Sequence, residues 1–224
     1  MYGSSNWLFS TLVFFSMAVA LWAVFLYAPT EREMGIVQRI FYFHVPAAIA
    51  AFVGFFLVFV GSIQFLRTQQ ARWDRLARCA AELGVLFSLI VLFTGPLWAR
   101  PIWGVYWRWE PRLTSMLILF TIYVAYLMVR SYGSEAPQTQ RFAAVLGILG
   151  FVNVPLVYYS VHLWAPEQQL HPRQVELSAA MQNTLYLCFI AFFLLFFYLL
   201  QHRLKIEKIS DALAQIRLEL GGES

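Results

Sequence analysis

Residues 98–115 read WARPIWGVYWRWEPRLTS. An apolar run, residues 80–98, leads into this stretch, and another, residues 114–132, leads out of it. Four of the chain's eight tryptophans, Trp98, Trp103, Trp107 and Trp109, lie inside it, threaded with Arg100, Arg108, Glu110 and Arg112. So many charges cannot rest in hydrocarbon, and Pro96, Pro101 and Pro111 interrupt helix hydrogen bonding around them. The stretch therefore reads as a polar, aromatic connection between two membrane spans.

Crossing the hydrocarbon core takes roughly 20 apolar residues. Six stretches are that long, at about 7–27, 45–66, 80–98, 114–132, 142–162 and 180–201, and the segments between them hold nearly all the charge. The chain is 60% hydrophobic and only 12% charged, half the charge of an ordinary soluble domain, with a mean hydropathy of +0.63. Lipid satisfies no backbone group, so the spans must be helices, and they are too long for barrel strands. The expected fold class is an all-α integral membrane protein with six transmembrane helices. Residues 1–202 form the membrane domain and residues 203–224 a cytoplasmic amphipathic tail. Ala18-Val19-Ala20 looks like a signal-peptide cleavage site. No Lys or Arg precedes that apolar run, which continues to Tyr27, so the first segment is expected as a retained span.

Six spans put both termini on one side. The tail and the loops at 67–79 and 133–141, with flanking residues, collect ten of the sixteen basic residues: Arg67, Arg72, Arg75, Arg78, Arg130, Arg141, Arg203, Lys205, Lys208 and Arg217. The positive-inside rule then assigns both termini to the cytoplasm. The tryptophan segment and the loops 28–43 and 163–179 face outward together. The net charge of +4 reflects this loop asymmetry rather than a nucleic-acid surface. Two distant cysteines, Cys79 and Cys188, make neither a disulfide framework nor a CxxC site, and no CxxCH is present for covalent haem. Within the fifth span, Pro155 in FVNVPLVYY should kink the helix, with the Asn153 amide satisfying a freed carbonyl. In the tail, Ile206, Ile209, Leu213, Ile216 and Leu220 form one apolar seam. It suits a helix lying on the inner leaflet or one that binds a partner, and the residues leave both readings open.

Three of the four histidines lie near the outward face: His44 in RIFYFHVP, and His162 and His171 in SVHLWAPEQQLHP. His202 follows the sixth span on the opposite side, where a solvated position at a helix C-terminus accounts for it. Imidazole is a common haem-iron ligand, Trp and Tyr faces stack on flat macrocycles, and arginines pair with carboxylates. The outward face offers all three, with Arg39, Arg100, Arg108 and Arg112 as the cations. Interfacial tryptophans also form belts that bind nothing, so belt and binding platform both remain open from the residues alone. Histidines at helix ends rather than mid-span argue against a stable electron-transfer haem at mid-bilayer.

Residues 103–115, WGVYWRWEPRLTS, resemble the tryptophan-rich WWD motif of haem-handling proteins in cytochrome c biogenesis. Together with RIFYFHVPAA (39–48) and VNVPLVYYSVHLW (152–164), they resemble the six-helix CcmC family, haem exporter protein C of cytochrome c maturation, from about residue 35 to 185. The resemblance implies transient, non-covalent binding of haem b on a platform of Trp103, Gly104, Trp107 and Trp109, with Glu110, Arg100, Arg108 and Arg112 beside it. It implies His44 and His171 as axial iron ligands, with His162 as the alternative to His171. Three departures stand out: Glu110 replaces the motif's Asp, the loop before His171 is about three residues longer, and His162 occupies a position where the family often has an acidic residue.

The family implies a multi-pass protein of the bacterial inner membrane that presents haem to a periplasmic chaperone, CcmE. The implied partners are haem, the ATP-binding-cassette subunits CcmA and CcmB, the small protein CcmD and membrane lipid, with no nucleic acid. No GxxxxGK[ST] occurs in the chain, so ATP chemistry must come from a partner. The expected role is haem transfer, not catalysis. The alternatives are a haem-attachment synthase of the related WWD group, a haem exporter channel, and a structural subunit with no ligand. The synthases carry additional helices and histidines that this chain lacks, and a channel expects ionisable groups along its spans.

Overall fold

The computed structural model describes residues 4–133, 136–163 and 177–221. Its helices are α1 (Ser4–Trp22), α2 (Phe41–Thr68), α3 (Ala71–Trp103), α4 (Pro111–Tyr132), α5 (Pro137–Phe151), α6 (Asn153–Leu163) and α7 (Ala179–Gly221). A π-helical turn (Ala23–Tyr27) ends α1, and a 3₁₀ turn (Ile36–Ile40) leads into α2. Among the described residues the only strand-like pairing is an isolated Glu31–Gly35 bridge. Among the described residues, six helical segments are long and apolar enough to cross a membrane, with α5 and α6 counted as one. The protein is an all-helical, multi-pass membrane protein.

The helices start and stop where local chemistry dictates. The α2–α3 connection is only Gln69 and Gln70, with Gln69 in the left-handed region (φ 55°) and its Nε2 donating to the Phe65 and Leu66 carbonyls that α2 leaves open. The expected loop at 67–79 is thus mostly helix. Its charges are carried on the first turns of α3, because the carboxylates and guanidiniums there find partners on other helices. Arg130 of α4 pairs with Asp74 at 2.6 Å, Arg78 with Glu207 at 2.7 Å, Arg203 with Glu207 at 2.9 Å, and Arg203 also with Glu82. Arg75 meets Asp211. These pairs tie α3, α4 and α7 together at one end of the bundle, hereafter the ionic end.

The fifth span breaks at Val152, earlier than the proline suggests. Pro155 lies in the first turn of α6, where no N–H is needed, and cannot donate back to Phe151, so the ladder opens just ahead of it. Asn153 Nδ2 donates across to the Ser115 carbonyl of α4 (2.9 Å) rather than to its own helix.

The core lies between α2 and α3, the most extensively packed pair. Gly54 and Gly84 face each other, and a Cβ on Gly54 would sit 3.0 Å from the Gly84 backbone. The space beside Gly84 is taken by Phe55, which is fully buried and stacks on Tyr123 of α4 at 3.9 Å and 11°. Tyr123 in turn donates its hydroxyl to the Gly147 carbonyl of α5 (3.0 Å). α7 continues without interruption from its apolar part through the tail, about 65 Å at 1.5 Å per residue. Glu207 and Asp211 turn toward α3, while Ile206, Ile209, Leu213 and Ile216 are exposed.

Candidate functional site

At the end opposite the ion pairs, the start of α2, the end of α3, the start of α4 and the middle of α6 surround a cavity of about 300 Å³. Ala48, Phe52, Val91, Met116 and Val157 form its apolar depth, while His44, Gln38, Arg112, Trp98 and Trp103 line it as well. It is an apolar slot with a few polar groups set into it, the usual composition of a small-molecule site.

His44 stands in the first turn of α2. Its Nδ1 lies 2.9 Å from the Thr94 hydroxyl on α3, and that hydroxyl lies 2.7 Å from the Ile90 carbonyl one turn back. A Cβ on Gly95 would be 3.5 Å from the His44 Cε1, so the glycine leaves a methyl-sized space beside the ring edge. Gln38 is 1% exposed, and neither atom of its amide has an aligned hydrogen-bond partner. The Tyr42 hydroxyl, itself fully buried, is the polar group that interacts with this amide, outside ideal hydrogen-bond geometry. Buried polar groups in this state are rare in folded proteins.

The tryptophans divide into two edge-to-face pairs. Trp98 and Trp103, centroids 5.1 Å apart, belong to the last turns of α3 and wall the cavity. Trp107 and Trp109, 5.6 Å apart, lie on the open segment before α4, where Trp109 is 76% exposed and Trp107 half-buried with its indole N–H unpaired. The expected span end at residue 98 moves to Trp103 for this reason: the aromatic turns continue the helix and pack on one another. Gly104 ends α3 with φ +75°, a left-handed conformation that any Cβ would strain, and its N–H caps the Arg100 carbonyl. Arg100 Nη1 donates to the Gly104 carbonyl, and its guanidinium sits 5.6 Å from the Tyr106 ring, so this arginine secures the turn. Arg108 is exposed.

Glu110 precedes Pro111 at the start of α4, where a carboxylate complements the helix dipole. It is 5% exposed and interacts electrostatically with Arg112, which lines the cavity. The acid therefore faces an arginine of its own chain.

The sequence model of the family described as heme exporter protein C (CcmC) matches residues 2–218. The chain belongs to the CcmC family. The heme exporter protein C of Escherichia coli K12 is 32% identical over 200 residues, covering 87% of this chain and 81% of that protein. The protein of the same name from Paracoccus denitrificans is 34% identical over 187 residues, 80% and 76% of the two chains. A ccmC-like mitochondrial protein of cytochrome c biosynthesis from Marchantia polymorpha is 31% identical over 194 residues, 84% and 82% of the two.

Within this CcmC-family chain, His44, Trp103 and Arg112 converge on one cavity. Trp107, Arg108 and Trp109 lie on the adjoining open segment. His171 lies outside the described residues. His162 falls on α6, whose last turn is described only as backbone. Sequence reading missed Gln38, Thr94 and, as a cavity wall, Trp98. Gln38 had a visible signal, a neutral amide at the mouth of a long apolar run. Thr94 had none, because its partner is fifty residues away in sequence.

Proposed function

We propose that the chain binds haem b non-covalently at the tryptophan end of the bundle and presents it to a periplasmic haem chaperone, CcmE, within a CcmABCD-type complex. In this reading both termini are cytoplasmic, the ionic end faces the cytoplasm and the tryptophan end faces the periplasm across a bacterial inner membrane. The basic residues of the ionic end and the tail support that orientation. The chain acts as a carrier and not as a catalyst, since its task is to hold and release a ligand.

One observation carries the proposal: His44 lines an apolar cavity walled by Trp98 and Trp103, with Arg112 and Gln38 set into it. These residues fit haem. An imidazole is a suitable iron ligand, indole rings suit a macrocycle face, and Arg112 and the buried Gln38 amide suit a propionate. About 300 Å³ is at the small end of ligand pockets, roughly 300–1,000 Å³, so it takes an edge of the macrocycle. The exposed Trp107–Trp109 pair is then available to cover the remainder, with His171 supplying the second axial nitrogen. His44 and His171 would hold the haem iron, and haem bound here would supply an iron centre that a docked chaperone can accept. Arg112, with Glu110 nearby in sequence, lines the cavity, and Arg100 keeps the Gly104 turn in shape beneath the platform.

Absorption spectroscopy on purified full-length variants tests the assignment. His44→Ala and His171→Ala should each abolish a low-spin bis-histidine spectrum and chaperone loading, whereas His162→Ala should preserve both. A normal spectrum from His44→Ala removes the site from the cavity. Loss in His162→Ala with retention in His171→Ala exchanges the two.

A further inference from the structure

A threonine hydroxyl has a single proton. The Thr94 Oγ1 lies 2.7 Å from the Ile90 carbonyl and 3.4 Å from the Val91 carbonyl, both on the preceding turn of α3. A carbonyl oxygen only accepts, so a contact of 2.7 Å between two oxygens is attractive only if the hydroxyl proton lies between them. That proton is then spent, and Thr94 can meet any other group only as an acceptor. The other group is His44 Nδ1, 2.9 Å away. Nδ1 must therefore carry a hydrogen. In a neutral imidazole with Nδ1 protonated, Nε2 holds the lone pair.

We infer that Thr94 is a positioning residue that selects the Nδ1–H tautomer of His44 and fixes its ring, so that Nε2 is the nitrogen presented to a metal. The bond does two things to the imidazole. It removes the competing tautomer, whose Nδ1 lone pair would face α3 and whose Nε2 would be blocked by a proton. It also makes Nε2 a stronger donor, because an accepting oxygen at Nδ1–H pushes electron density through the ring. Rotation of the ring is restricted by the same bond.

The arrangement depends on tertiary packing. His44 and Thr94 belong to α2 and α3, and the Gly54–Gly84 approach holds those helices close enough for a 2.9 Å bond between their far ends. Thr94 is also separate from the conspicuous motif: it precedes the tryptophan segment and lies within the apolar run, between Phe93 and Gly95, with no charged neighbour to single it out.

This inference rests on His44 being an axial ligand, and two measurements separate its failure from the failure of that reading. The first needs no haem. In the cargo-free full-length protein, ¹⁵N-histidine NMR in detergent micelles should show His44 with Nδ1 protonated and Nε2 bare. Thr94→Val, which keeps the shape and removes the oxygen, should give a mixture of tautomers, and Thr94→Ser should restore the original one. A predominant Nε2–H tautomer in the unaltered protein overturns the inference outright.

The second is haem titration of the same proteins. Loss of a hydrogen bond of this kind behind a metal ligand generally costs 10–100-fold in affinity, so Thr94→Val should weaken binding by about that factor and raise the haem midpoint potential. Thr94→Ser should stay within about threefold of the unaltered protein. In a His44→Ala background the Thr94→Val change should have no further effect. An equal loss in both backgrounds means that Thr94 acts only on packing, and overturns the inference while leaving the ligand intact. Full affinity in His44→Ala instead removes the ligand reading beneath it, whatever Thr94 does.

Discussion

Gly84→Ala is the sharpest test of how the α2–α3 pair supports the site. A Cβ at position 84 would lie 2.5 Å from Phe55 Cε1 and 2.7 Å from Cδ1. An ordinary carbon–carbon contact is ~3.5–4.0 Å, so the ring or the helix must move by roughly 1 Å or more. Phe55 has nowhere to go: it is fully buried and stacked 3.9 Å from Tyr123, whose hydroxyl is tied to α5. Overpacking of this kind costs about 1–3 kcal/mol, offset by about 0.5–1 kcal/mol for replacing a helical glycine with alanine. The net loss is then at most about 2.5 kcal/mol and centred near about 1 kcal/mol, or about 2–4 °C in melting temperature for a chain of this size at that centre. Thermal unfolding of the full-length protein in detergent micelles reads it directly. Pairing Gly84→Ala with Phe55→Leu, which frees the contested space, should recover stability beyond additivity by more than about 0.5 kcal/mol. A single variant that melts at or above the unaltered protein, with additive behaviour in the double variant, refutes the packing argument. Widening α2 from α3 should also stretch the His44–Thr94 bond, so haem affinity should fall with stability.

Other residues give outcomes of distinct sign. Arg130→Met leaves the Asp74 carboxylate, only 12% exposed, without its 2.6 Å partner; a loss of about 3–5 kcal/mol is expected, and Asp74→Leu in the same chain should recover most of it, as read by thermal melts. Gln38→Leu removes a buried amide that meets the Tyr42 hydroxyl only out of alignment, and leaves that hydroxyl behind, so the cargo-free protein should gain at most about 1 kcal/mol while its haem affinity falls. A stabilised variant with unchanged affinity would take Gln38 out of the site. Gly104→Ala forces a Cβ into a φ of +75° and should lower stability by about 1–2 kcal/mol, with Gly104→Asn milder because asparagine tolerates that region.

Much of the architecture was legible because hydrocarbon is an exacting solvent. Six apolar runs separated by charge leave little choice but helices, and six such segments are present. Boundaries were less legible, for a physical reason. A charge count marks where lipid ends, but a helix continues wherever its side chains find partners. α3 therefore starts at Ala71 among ion-paired residues and ends at Trp103 among indoles packed edge to face. The break in the fifth span came three residues before the proline, since the missing hydrogen bond is the one Pro155 would have made backward.

The tryptophan segment was visible as a functional candidate from composition alone, and the family confirmed by comparison makes haem the natural ligand to propose. Its division of labour was not visible. Trp98 and Trp103 share a cavity with His44 and Arg112, whereas Trp107 and Trp109 stand on an open segment. Arg100 and Arg112 look interchangeable in sequence, yet one is spent on the Gly104 turn and the other lines the cavity. By itself, the sequence determined a six-span helical membrane protein with histidines and an aromatic platform at the helix ends, because local hydrophobicity and residue chemistry dictate both. Only the tertiary structure decided which polar groups meet. The Thr94–His44 bond and the ionic ties of α7 join residues on different elements, and such contacts follow from how closely the helices pack.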